Sequence, residues 1–365
     1  MTAVSSSSQS PPHIPLDLVS EILCRLPVKH LLQLCCVCKS WNSLISLDSN
    51  FARKQLSLST PNKDRHHLIQ SSTKYYREFL LSHSTISSFF TNDPIVTVNQ
   101  FRHTLKRVLG LHISTCDGIL CFAIKGSQAV LYNPFTRKSN KLPPLKAPNS
   151  RDFQNLYTLV YDSITGNYKI IAVTFGNSKI QVNIHTLGTR YWRRIQDFPC
   201  SLLISTPGIF VNDTVNWFAY DSNSAKVIVS LDLKKESYQK FSLPFSHFEF
   251  FINLGTLKGC LSILSQHENF QLFYVWIMKE YRNEKSWTKL FTIPSHPERC
   301  GLYDGYSKVL YISENNQLLM EFEKRGLVVY DSTNKNFSIP KMQNNIHDDE
   351  EVAPLFCVES LISPF

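Results

Sequence analysis

Three thiols, Cys35, Cys36 and Cys38, lie within one short stretch, and two imidazoles, His66 and His67, are adjacent. Thiolate and imidazole are the ligands zinc prefers. A closed zinc site needs four of them in recognisable groups such as paired CxxC units, and no second Cys or His cluster follows the thiols. The thiols read more simply as small apolar side chains, and the His pair as solvated or helix-capping. Covalent catalysis has no better basis: the chain carries no GxSxG elbow, no P-loop, no HExxH and no GxGxxG behind a strand. Cys116, Cys121, Cys200, Cys260 and Cys300 sit among apolar, strand-like residues, which raise a thiol pKa instead of activating it. The sequence therefore points to no metal, no cofactor and no catalytic set.

The elements around the three thiols are more informative. Leu18, Val19, Ile22, Leu23 and Leu26 recur at helical spacing, with Asp17 placed to cap and Pro27 to end the segment. Leu31, Leu32, Leu34 and Cys35 mark a second short helix, and Val37, Trp41, Leu44 and Ile45 a third. Pro15 and Pro27 fix φ at the start of the first two. A unit of roughly 40 residues buries too little of its surface to be comfortably stable alone. Ile14, Leu18, Ile22, Leu26, Leu31, Val37 and Trp41 all require cover. Two readings follow: this surface docks on another protein with Trp41 as an anchor, or it packs on the rest of its own chain.

These residues carry a resemblance. Ile14-Pro15, Asp17-Leu18, Glu21-Ile22-Leu23, Arg25-Leu26-Pro27-Val28-Lys29, Leu31-Leu32 and Val37-Cys38-Lys39-Ser40-Trp41 resemble an F-box of the plant type. Ile14 stands where a Leu is usual, and Leu34-Cys35-Cys36 replaces a more basic stretch; neither change removes an apolar contact. The resemblance implies that Ile14, Pro15, Leu18, Ile22, Leu26, Pro27, Leu31, Val37, Cys38 and Trp41 contact a Skp-family protein, some of them also holding the helices together.

With 365 residues, 43% of them hydrophobic and 18% charged, the chain has material for a large core and more than one domain. Residues 1–11 are Ser-rich without a basic or apolar signal region and read as a disordered tail. No apolar stretch reaches the roughly 20 residues of a membrane span. Reduced thiols and a location in cytoplasm, nucleus or both are expected. A net charge of +9 raises nucleic acid as a partner. The cations are dispersed along the chain (Arg102, Lys106 and Arg107; Arg190, Arg193 and Arg194; Lys234 and Lys235) with no binding motif around them. The expectation is a solvated basic surface, with no nucleic acid and no membrane as partners.

After the helices (residues 12–56) and a linker (57–75), the pattern changes to short β-branched and apolar runs between Asn, Asp, Gly, Ser and Pro, the mark of an all-β region over 76–365. One element recurs: apolar strand, polar turn, then an aromatic or basic strand ending at Pro143, Pro199, Pro244, Pro294 and Pro340. The intervals of roughly 50 residues suit propeller blades of four strands, about six in all. Trp192, Tyr238, Trp287 and Phe337, shortly before those prolines, are expected to fill the space between blades. The segment from Phe356 to Ile362 is expected to complete the first blade with strands near Glu78–Leu81 and Ile95–Val98.

Leu131-Tyr132-Asn133-Pro134, Tyr161-Asp162, Tyr168-Lys169-Ile170, Leu187-Gly188, Trp192-Arg193 and Val358-Glu359-Ser360-Leu361 resemble the F-box-associated domain of plant F-box/kelch-like proteins. Together the two resemblances imply the substrate adaptor of an SCF-type ubiquitin ligase. A Skp-family protein would link it to cullin and RING subunits, and the β domain would hold an unidentified protein substrate. Two alternatives stay open: a binding module that uses a Skp-type protein without cullin, and an enzyme on a propeller scaffold. Candidate recognition loops are Lys146–Asn155, Ser246–Phe251, His296–Gly301 and Asn344–Glu351.

Overall fold

The computed structural model describes residues 14–365 apart from 75–77, 92–94, 106–107, 125–127, 146–154, 176–178, 201, 204–205, 246–248, 268–271, 295–306, 323–325 and 344–351. The expected tail and most of the candidate recognition loops lie outside the described residues.

Four helices open the described chain: α1 (Leu16–Leu23), α2 (Val28–Leu34), α3 (Lys39–Leu47) and α4 (Ser49–Ser59). Pro15 and Pro27 precede the first two, as the sequence predicts, but Asp17 does not cap; it lies inside the first turn of α1, where a carboxylate suits the helix dipole. Only three helices are predicted from periodicity, and α4 is the addition. Its start is set by Asp48, whose carboxylate accepts the N–H groups of Asn50 (2.8 Å) and Phe51 (3.0 Å).

The remainder is a six-bladed β-propeller. Blade 2 is formed by Val108–Cys116, Ile119–Ile124, Gln128–Asn133 and Lys138–Lys141, and blade 3 by Asn155–Asp162, Asn167–Phe175, Ile180–Thr186 and Arg193–Arg194. Blade 4 takes Ile209–Val211, Thr214–Tyr220, Lys226–Asp232 and Ser237–Ser242. Blade 5 takes Glu249–Leu257, Cys260–His267, Leu272–Met278 and Trp287–Pro294, and blade 6 Lys308–Ile312, Gln317–Phe322, Gly326–Asp331 and Asn336–Ser338. Blade 1 joins the two ends of the β region: Val352–Val358 pairs with His66–Lys74, followed outward by Glu78–Thr85 and Asn99–Leu105.

Three expectations change here. The closing strand stops at Val358, because Glu359–Ile362 leave the sheet: the buried Asn133 amide donates to the carbonyls of Ser360 (3.0 Å) and Ile362 (2.8 Å). Ile95–Thr97 is not a blade strand but pairs in parallel with Lys341–Gln343. The stretch expected as linker contains the strand His66–Lys74.

Each blade is buried on both faces, so its middle strands read as continuous apolar runs, with alternate residues serving different seams. In blade 2, Ile119 and Cys121 enter the seam with blade 3, while Leu120 and Phe122 enter the seam with blade 1. In blade 3, Ile171 and Val173 face blade 4, and Ile170 and Ala172 face blade 2. Trp192, Tyr238, Trp287 and Phe337 each pack into a seam, as their spacing predicts.

The first strands of neighbouring blades approach one another around the axis and are innermost. Antiparallel order then sends the first-to-second and third-to-fourth turns to one face of the ring. Tight two-residue turns at Asp117-Gly118, Asn212-Asp213 and Lys258-Gly259 take positive φ. At the outer hairpins Asn133, Asp232 and Asp331 accept backbone N–H groups two and three residues ahead.

Candidate functional site

The helices sit on that turn-bearing face and share one core with the seam of blades 2 and 3. Leu23, Val28, Leu31, Ile45, Phe51 and Leu56 are buried with Leu131, Leu159, Ile170 and, from the C-terminal segment, Leu361 and Ile362. Polar contacts fix the register. Arg53 donates to Asp117 (2.7 Å), whose carboxylate also accepts Tyr168 Oη (2.8 Å), and the Arg53 guanidinium lies 3.6 Å from the Tyr161 ring centre. Gly118, at φ +80°, is required beside it: a Cβ there would stand 2.6 Å from the Val358 carbonyl oxygen.

A second, more buried group lies where α1, α2 and blade 1 meet. Arg65 pairs with Glu359, and its other terminal nitrogen donates to the carbonyl of Arg25 (2.8 Å). The Glu359 carboxylate also accepts the N–H of Val28 (3.3 Å), and His67 Nε2 stands 3.8 Å from it. Burial disfavours ionised Glu359, but the neighbouring His67 and Arg65 outweigh this and hold its carboxyl below the usual range. His66 bonds the carbonyl of Thr60, the residue that caps α4, at 2.8 Å. The His pair therefore has a capping member but is buried, not solvated.

The other side of the helices is uncovered. Ile14, Leu18, Ile22 and Val37 are each 56–60% exposed. Leu18 and Ile22, four residues apart, share one face of α1, with Ile14 just before the helix, while Val19 and Leu23 on the adjoining face pack inward. Of the other residues implied by the resemblance, Pro15 and Cys38 are exposed, Leu26, Pro27 and Trp41 are half-buried, and Leu31 is wholly enclosed. Leu31 thus belongs to the internal core of this chain. Leu16, Leu32 and Leu47 are exposed apolar side chains absent from that set; their only sequence signal is apolar character at helical spacing. Cys38 immediately precedes α3, where the Ser40 hydroxyl and the Trp41 N–H lower its thiol pKa. Burial does the reverse to Cys116, Cys121 and Cys200. Among the described residues, no group of three or more His, Cys, Asp and Glu side chains is arranged to hold a metal ion.

Comparison with known proteins agrees with this two-part construction. A family model described as the F-box domain matches residues 12–53, and one described as the F-box associated beta propeller domain matches 72–364. The chain belongs to the plant F-box proteins with an F-box-associated propeller. It is 30% identical over 345 residues to the F-box/kelch-repeat protein At3g23880 of Arabidopsis thaliana, with 91% of each chain covered. It is 22% identical to the F-box protein CPR1 of the same plant, covering 91% of this chain and 85% of that one. Among solved structures, the oligogalacturonate lyase of Vibrio parahaemolyticus aligns with 74% of this chain and 78% of its own at 12% identity and a TM-score of 0.39.

Proposed function

We propose that the protein is the substrate-recognition subunit of an SCF-type ubiquitin ligase, itself without catalytic chemistry and acting in cytoplasm, nucleus or both. One observation carries the reading: Ile14, Leu18, Ile22 and Val37 stay exposed on a helical unit whose opposite face is packed on the propeller. Large apolar side chains grouped on an open face of a small helical unit mark a protein interface. The Skp-family protein would cover this face, with Pro15, Leu26, Pro27, Cys38 and Trp41 at or beneath its edge and Leu31 supporting from below. The propeller would hold the target, and the shared core with its ion pairs would keep target and ligase at a defined separation. That converts a chance encounter into a local one.

The test is capture of a Skp-type protein and, through it, cullin by the purified full chain. Ile22→Asp puts a charge at the centre of the exposed face and should weaken capture by at least about thirtyfold, the scale of an interface hot spot. Undiminished capture by that variant, with its fold intact, defeats the reading. Capture of the Skp-type protein with no cullin in the complex would instead support a module that works outside the ligase.

A further inference from the structure

Two of the three cation groups that look scattered in the sequence are carried by neighbouring blades. Arg190, Arg193 and Arg194 lie at the outer hairpin of blade 3, and Lys234 and Lys235 at that of blade 4. The hairpins are tied together: both terminal nitrogens of Arg193 bond the Glu236 carboxylate, and Tyr238 Oη donates to the Gln196 carbonyl (3.1 Å). Asp232 accepts the N–H groups of Lys234 and Lys235, both at 3.0 Å, which fixes the turn that presents their ammonium groups.

The carboxylates here are committed. Glu236 pairs with Arg193, Asp197 with Arg194, and Asp232 with Arg282 of blade 5. Arg190, Lys234 and Lys235 are exposed and have no ion pair among the described residues. Beside Arg190 stands Tyr191, 66% exposed. Farther round, the blade 5 hairpin mixes Glu280 and Glu284 with Lys279, Arg282 and Lys285.

We propose that this hairpin pair is a docking surface for an acidic protein segment, with carboxylates meeting Arg190, Lys234 and Lys235 and an apolar or aromatic side chain lying on Tyr191. A nucleic-acid backbone is the poorer match. Tight phosphate binding uses on the order of six to ten cationic contacts, and here three carboxylates are interspersed among the cations. An acidic peptide needs only a few contacts and is tolerant of that mixture. None of the exposed helical side chains takes part. If the adaptor reading holds, the segment belongs to a target; the measurement below needs no Skp-type protein and stands apart from it.

The full chain is titrated into a fluorescent oligoglutamate peptide bearing one tryptophan, with an oligoserine peptide and oligothymidylate as alternative probes. The glutamate peptide should bind, more weakly as salt rises, and Lys234→Glu with Lys235→Glu should lower its affinity about tenfold, the scale of reversing two screened surface charges. Lys335→Glu with Lys341→Glu makes the same change of net charge at exposed positions in and just beyond blade 6 and should leave binding within about twofold. Tyr191→Ala should weaken the tryptophan-bearing peptide more than one without it. The proposal is overturned if both charge-reversed pairs weaken binding equally, if neither does, or if oligothymidylate binds at these lysines while the glutamate peptide does not. Thermal melts of each variant, expected to match the parent, separate lost binding from lost folding.

Discussion

Leu18 and Leu23 belong to the same two-turn helix and have the same side chain, yet Leu18 is more than half exposed and Leu23 is almost completely enclosed. The contrast extends over the helical unit. Its inner face is closed by a continuous core and the Arg65–Glu359 pair, whereas its outer face shows apolar side chains without polar contacts. Inward residues hold the chain together, and outward ones are left for a partner. The two sets should therefore separate when stability and capture are measured on the same variants.

The largest effect on stability is expected at the buried ion pair. Arg65→Ala leaves Glu359 in a low-polarity site with its main partner gone, and urea denaturation should show a loss of about 3–5 kcal/mol. A loss below about 1 kcal/mol would mean that water reaches the seam. Leu31→Ala comes next, at about 2–4 kcal/mol, because the helices and blade 2 cannot both collapse into the space left behind; calorimetry reads this as a lowered Tm.

Acidification should act on the inner face through His83 and Glu359. Burial, with the nearby His67, lowers the His83 pKa to about 4 from 6.5. The unfolded chain therefore takes up a proton below about 6.5 that the folded protein refuses until near 4, so stability falls as pH drops through that window. Glu359 adds to the loss at lower pH: its depressed pKa stabilises the fold above the ordinary carboxylate value and ceases to do so as pH falls through the folded one. Urea midpoints between pH 7 and 4.5 should decline more in the parent than in His83→Phe. Parallel slopes would remove His83 from the account.

The smallest stability change is expected outside. Ile22→Asp should shift unfolding by no more than about 0.5 kcal/mol while capture of a Skp-type protein falls. A stability loss comparable with that of Leu31→Ala would place Ile22 among the inward residues and erase the contrast.

Much of this arrangement is legible before folding. Helical spacing at Leu18, Ile22 and Leu23 identifies the first helix, and the RLPVK and VCKSW strings identify its family. The recurring strand-turn-strand-Pro element yields the propeller, because each blade repeats one packing problem with one solution. Less visible was α4: its apolar periodicity is weak, and the Asp48 cap was its clearest local sign. The pairing of Ile95–Thr97 is not legible in the sequence, because a three-residue run pairs with whatever edge the tertiary structure brings near, here Lys341–Gln343.

Local pattern alone determined the helical segment, the sheet repeat, the turn chemistry of Asn133, Asp232 and Asp331, and the apolar character of the helices. Only the folded ring decided which apolar residues face outward, that Glu359 meets Arg65 almost three hundred residues away, and that Arg193 of blade 3 meets Glu236 of blade 4. The physical reason is range. Periodicity and turn chemistry act over a few residues, whereas burial and charge pairing depend on partners that chain closure alone brings together.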